Sequence, residues 1–132
     1  MALTPTYHIF DMYKVHQDAR LIPTTVETAT ITDGEWTLPQ VNASASVDAD
    51  RRMHLTVANL SPDKECQVSC LISPDYKRIS QSQLLTAKNI ADHNTFESPN
   101  NVHLSTFDKA TLKKGALTFK MPAKSVVMIE LK

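Results

Sequence analysis

Glycine is nearly missing: 132 residues contain two, Gly34 and Gly115. A glycine-rich loop cradling phosphates is therefore excluded. Aromatic residues make up only 6% of the chain, with Trp36 the single tryptophan. No basic stripe interleaved with aromatics marks a single-stranded nucleic-acid track. Charge is balanced, 14 Lys and Arg against 14 Asp and Glu. Nothing electrostatic points to nucleic acid or an anionic membrane surface, so neither is expected as a partner. No apolar run approaches the roughly 20 residues of a membrane span. The N-terminus lacks a basic region followed by an apolar core, so no signal peptide is expected. The sequence leaves the compartment open.

The two cysteines, Cys66 and Cys70, stand in "KECQVSCLI". Read as a strand, this places Cys66, Val68, Cys70 and Ile72 on one face and Glu65, Gln67 and Ser69 on the other. Four strand positions separate the two Cα atoms by about 13 Å, whereas a disulfide spans at most about 7 Å. Buried free thiols serving as small hydrophobes are expected.

A length of 132 residues suits one domain. The chain opens with a helical pattern, "LTPTYHIFDMYKVHQDA", in which Thr4 suits the N-cap and Pro5 the first helical position. Pro23 closes the helical region, and a boundary is expected near residue 22. Two apolar stripes appear, one of Tyr7 and Phe10, the other of Ile9, Met12, Tyr13 and His16. A surface helix on a single core shows one stripe. This helix is patterned to be covered on more than one side, and alone it should associate through Tyr7, Phe10 and Tyr13, or fray.

Everything after it reads as β-structure. Strands are expected at Val41–Val47, in "MHLTVANL" with Met53, Leu55 and Val57 on one face, through the cysteines, and over about 76–86. Asp33-Gly34 marks a turn, and Lys114-Gly115 closes a hairpin in "ATLKKGALTFKM". A last strand points Val127, Ile129 and Leu131 inward. "AKNIADHNTFESPNNVHLSTFD" reads as a long loop, a kind usually functional or interfacial. Short strands at this spacing predict a mainly β fold, an antiparallel, jelly-roll-like β-sandwich preceded by one N-terminal α-helix.

Catalytic and metal motifs fail on inspection. Asp48-Ala-Asp50 starts like a calcium loop, but Met53 and Asn59 stand where Gly and Glu are needed; a hairpin turn is expected. The five histidines lack metal-ligand spacing, and no metal or cofactor is expected. Glycoside hydrolysis requires paired carboxylates, and none of Glu27, Glu35, Glu65, Glu97 or Glu130 sits in a context suggesting burial beside a partner carboxylate. Glu130 falls on the outward face of the last strand. Trp36 suits a core or domain interface better than a sugar-stacking platform. The acceptor patterns at Asn42 and Asn59 fall in or beside strands and are discounted.

Four segments, "TPTYHIFDMYKVHQDA", "SASVDADRRMHLTVANLSPDKE", "LLTAKNIADHNTFESPNNV" and "LKKGALTFKMPAKSVVMIEL", resemble in order the C-terminal part of family 51 α-L-arabinofuranosidases. That resemblance implies a preceding (β/α)8 barrel that carries both catalytic glutamates and removes terminal arabinofuranosyl residues from arabinan and arabinoxylan with retention. Residues 1–22 then correspond to the last barrel helix, and residues 23–132 to the sandwich. No residue here inherits a catalytic role. Thr4, Pro5 and Thr6 would lie near the mouth of the barrel's sugar pocket. Tyr7, Phe10, Tyr13, His93 and Phe96 are the expected interface residues. The implied partners are the barrel, arabinose-containing oligosaccharides through it, and further subunits of a homo-oligomer. The alternative is a free-standing carbohydrate-binding or assembly module.

Overall fold

The computed structural model describes residues 5–24, 26–28, 30–33, 35–87, 94–97 and 102–132. Among these, one helix, α1 (Pro5–Tyr13), is followed by a single 3-10 turn, Lys14–His16. The strands are β1 (Arg20–Ile22), β2 (Thr30–Asp33), β3 (Trp36–Pro39), β4 (Val41–Val47), β5 (Met53–Asn59) and β6 (Cys66–Leu71). They continue with β7 (Ile79–Thr86), β8 (Ser105–Thr106), β9 (Thr111–Lys113), β10 (Ala116–Met121) and β11 (Ser125–Leu131). A six-stranded antiparallel sheet runs β1-β4-β5-β11-β7-β8. A three-stranded sheet, β6-β10-β9, packs over its inner face, and β2 with β3 forms a separate hairpin.

The sandwich core follows from strand alternation. Leu55, Val57, Val127 and Ile129 from the large sheet meet Leu117 and Phe119 from the small one, all buried. Phe107 and Phe119 stand edge-to-face, ring centroids 5.8 Å apart, the arrangement the ring quadrupoles favour. Cys66, Val68 and Cys70 of β6, with Ile72 just after it, line this core, and both thiols are free. Burial pushes both thiols up in pKa.

The β9–β10 hairpin turns at Lys114 (φ 50°) and Gly115 (φ 78°). A Cβ at Gly115 would meet the Ile72 carbonyl oxygen at 3.0 Å, in a backbone region that L side chains avoid. The Asp48 segment is a hairpin turn, as its sequence indicates. Asp48 Oδ1 accepts the Asp50 and Arg52 N–H groups at 2.9 and 3.0 Å, and Arg51 takes φ 64°.

Two expectations are corrected. The helical region does not continue to Pro23. Asp18 takes φ 59°, and Arg20–Ile22 leaves as β1, paired with Val47–Ala45 of β4. Sheet pairing overrides helix propensity in those three residues. The segment after Ala87 is also not wholly loop. Ser105 and Thr106 add to the edge of β7, and Phe107 is buried in the sandwich.

Candidate functional site

Outward-pointing residues of the six-stranded sheet form a second face, with different chemistry at its two ends. Over β7 and β11 the face is apolar. Met12 of α1 is buried with Leu85, Met128 and Val102, and Ile9, Tyr13 and Val15 pack around them. Val102 is held in place by Asn94, whose side chain donates to the Val102 carbonyl at 2.7 Å and accepts its N–H at 2.6 Å. The stripe of Ile9, Met12, Tyr13 and His16 is thus covered by the chain's own sheet. The other stripe is not: Tyr7 is 51% exposed and Phe10 73%.

Over β4 and β5 the face is polar. His16 Nδ1 lies 2.5 Å from Ser46 Oγ, and its Nε2 2.9 Å from Thr56 Oγ1. Thr56 donates its hydroxyl hydrogen to the Ser44 carbonyl at 3.4 Å. Thr56 therefore accepts from His16 Nε2–H, which leaves Nδ1 to accept from Ser46. Burial, and then the positive charge His54 can carry, lower the His16 pKa.

His54, opposite Glu130 in the β5–β11 register, lies within 2.8 Å of the Glu130 carboxylate through Nε2. Its Nδ1 is buried without a hydrogen bond, 3.8 Å from Asp48 Oδ2. Ser80 donates to the other Glu130 oxygen at 2.7 Å, and Arg52 approaches to 3.9 Å. Burial alone would raise the Glu130 pKa. The hydrogen bonds from Ser80 and His54 and the charges of His54 and Arg52 outweigh it, holding the carboxyl below its ordinary range.

Glu130 takes its close partner from the neighbouring strand, and that partner is a histidine. That register is not visible in the sequence, which gives no reason to single out His54. A glycosidase general acid needs a raised pKa, and Glu130 is shifted the other way. The cluster braces β5 against β11. No group of three His, Cys, Asp or Glu side chains converges as a metal site among the described residues.

The other sequence-derived residues are scattered. Thr4 and His93 lie outside the described residues, and Pro5 and Thr6 open α1. Phe96 is 87% exposed. Tyr13 is already partly covered by the helix–sheet cluster, so Tyr7 and Phe10 form the open part of the helix. Trp36 begins β3. Asn59 is buried, donating to the Lys64 and Pro122 carbonyls at 2.9 and 3.0 Å. Its amide is used in holding the turn after β5.

With this geometry established, comparison with known proteins is decisive. The model of the α-L-arabinofuranosidase C-terminal domain matches residues 1–125. The chain belongs to that family. An intracellular exo-α-L-arabinofuranosidase of Bacteroides ovatus is 38% identical over 133 residues, covering 99% of this chain and 26% of the relative. The family 51 arabinofuranosidase of Xanthomonas axonopodis pv. citri superposes with a TM-score of 0.93 at 33% identity, over 100% of this chain and 27% of that one. The Thermotoga petrophila family 51 enzyme shares the fold, with TM-score 0.82, 21% identity, and 99% and 29% coverage. The domain thus spans about a quarter of the length of these relatives.

Proposed function

We propose that this domain is the non-catalytic sandwich of a larger α-L-arabinofuranosidase, and that the barrel of that enzyme covers Tyr7 and Phe10. The carrying observation is the split helix: one stripe is seated on the domain's own sheet while the other stands in solvent. Two adjacent aromatic side chains left exposed beside a buried seam fit a continuing protein interface. The chemistry agrees, because the described acidic cluster, at Glu130, is tied up by Ser80, His54 and Arg52 and held ionised. The parent enzyme would cleave terminal α-L-arabinofuranosyl residues from arabinan- or arabinoxylan-type hemicellulose with retention, using glutamates of its barrel. Thr4, Pro5 and Thr6 would border its sugar pocket, and Phe96 and His93 would contact the barrel or a neighbouring subunit of a homo-oligomer.

The test is an assay with an aryl α-L-arabinofuranoside. The 132-residue chain is expected to show no turnover, and the polypeptide extended through its upstream barrel to hydrolyse the substrate. Turnover by the rigorously purified domain, or an inactive longer polypeptide that is correctly folded, overturns the reading.

A further inference from the structure

The outer face of the six-stranded sheet holds two histidines in opposite surroundings. His54 has carboxylates on both sides of its ring, Glu130 at 2.8 Å and Asp48 at 3.8 Å. His16 has no carboxylate partner among the described residues: its ring nitrogens meet the hydroxyls of Ser46 and Thr56. The titratable groups facing it are Tyr13 of α1, edge-on with ring centroids 5.9 Å apart, and His54 of β5. Asp11 of the same helix is paired with Lys14 at 2.8 Å, and Glu130 of β11 is engaged by His54, Ser80 and Arg52. β1 sets Leu21 opposite Ser46 and β7 sets Gln83 opposite Met128, and neither side chain is charged.

The placement of the hydrogens fixes what a further proton does. Thr56 passes its own hydrogen to the Ser44 carbonyl and accepts from His16 Nε2–H, so Nδ1 is the bare nitrogen and Ser46 donates to it. A proton arriving at Nδ1 meets the Ser46 hydroxyl hydrogen head-on, across an N···O separation of 2.5 Å. Ser46 is buried and makes no other side-chain hydrogen bond among the described residues. Turning its hydrogen away therefore leaves a buried donor without an acceptor. The imidazolium itself would be half-buried beside His54 with no counter-ion, an arrangement that disfavours the charged form.

The segment carrying His16 is weakly held. α1 has nine residues, too few for a stable helix without packing, and Met12 is its buried anchor among the described residues. The turn after it is closed by Gln17 N–H donating to the Lys14 carbonyl at 3.0 Å and Ala19 N–H donating to the His16 carbonyl at 3.3 Å. Asp18 then stands at φ 59°, and Arg20–Ile22 are tied to β4. A lift that hinges at Asp18 therefore leaves the sheet intact. We propose that His16 is a proton-operated latch: one proton taken up at Nδ1 lifts residues 14–17 and the C-terminal end of α1 off the outer face, while both sheets beneath stay folded. The latch needs only contacts within this chain, so it stands apart from the proposed covering of Tyr7 and Phe10.

Amide hydrogen exchange of the whole enzyme at about pH 7 and about pH 5, corrected for intrinsic exchange rates, tests the latch with β11 of the same molecule as the reference. Glu130, held below its ordinary range, stays ionised across this interval. Opening of residues 14–17 relative to β11 should rise about 5- to 20-fold on acidification, within the limit of about 10-fold per pH unit that one proton allows. His16→Gln keeps an Nε2–H donor for Thr56 and takes no charge, so the rise should vanish whatever its starting level. A segment that does not open in the wild type, a rise that persists in His16→Gln, or a rise that β11 shares each overturns the latch. A rise abolished by His54→Gln and kept in His16→Gln assigns the proton to His54 and overturns it as well.

Discussion

The two faces of the six-stranded sheet are built from alternate residues of the same strands, yet they are covered in different ways. Val57, Val127, Ile129 and Leu131 point inward and disappear under β10. Their immediate neighbours Thr56, Met128 and Glu130 point outward, and no second sheet of described residues covers them. A nine-residue helix covers the Met128 end, and hydrogen bonds from His16, His54 and Ser80 tie the polar end together, with His54 Nδ1 left unbonded. The inner face is held by area removed from water, which depends little on which apolar residue supplies it. The outer face depends on individual pairs, each with a specific geometry. Its helix is also half-covered, with Tyr7 and Phe10 left exposed.

That contrast can be broken first on the inner face. Phe119→Ala removes a fully buried ring packed edge-on against Phe107 and should cost about 3–5 kcal/mol in urea unfolding. Met12→Ala acts on the helix seam, with an expected loss of about 2–3 kcal/mol, at the low end because a frayed helix can close over part of the space. If Met12→Ala cost as much as Phe119→Ala, the helix would belong to the core, and the distinction between the faces would fail. His54→Ala removes the donor from a partly buried carboxylate and should cost about 1–3 kcal/mol near neutral pH.

Acid titration sharpens the same point. The folded pKa of Glu130 lies below its unfolded value of 4.5. Its contribution to stability is therefore complete above that pH and is lost as pH falls through the folded value. His16 is also depressed, below 6.5. As pH falls below 6.5, the unfolded chain takes up a proton that the folded chain resists, so stability declines there first. Urea midpoints followed from about pH 7 down to about pH 3 should fall in two stages, and Glu130→Gln should flatten the lower stage alone. Phe10→Ala in the 132-residue chain is the smallest effect, within about 0.5 kcal/mol, because the ring packs on little of its own domain.

The same contrast explains what the sequence made legible. Period-2 alternation identified the inward faces of β5, β6 and β11 residue by residue, and the Lys114-Gly115 turn fixed the β9–β10 hairpin. Neither signal depends on knowing which strand lies beside which. The His54–Glu130 pair does, because the two residues are 76 positions apart and meet only through the β5–β11 register. The early end of the helix has the same cause: His16 bonds to Ser46 and Thr56, and Arg20–Ile22 pair with β4. Ser105 and Thr106 carry no strand pattern either, since the two-residue β8 is too short for alternation to register. The two stripes of α1 were legible, and only the structure separated the seated stripe from the open one.

The most direct test of the proposed covering of α1 is the thermal unfolding of the whole enzyme carrying Phe10→Asp. A carboxylate placed in a desolvated barrel–sandwich interface should lower the midpoint by several degrees, while the same substitution leaves the 132-residue chain nearly unchanged. An unaltered midpoint in the whole enzyme would mean that Phe10 faces solvent there too, and the account of this helix as a buried joint would be wrong.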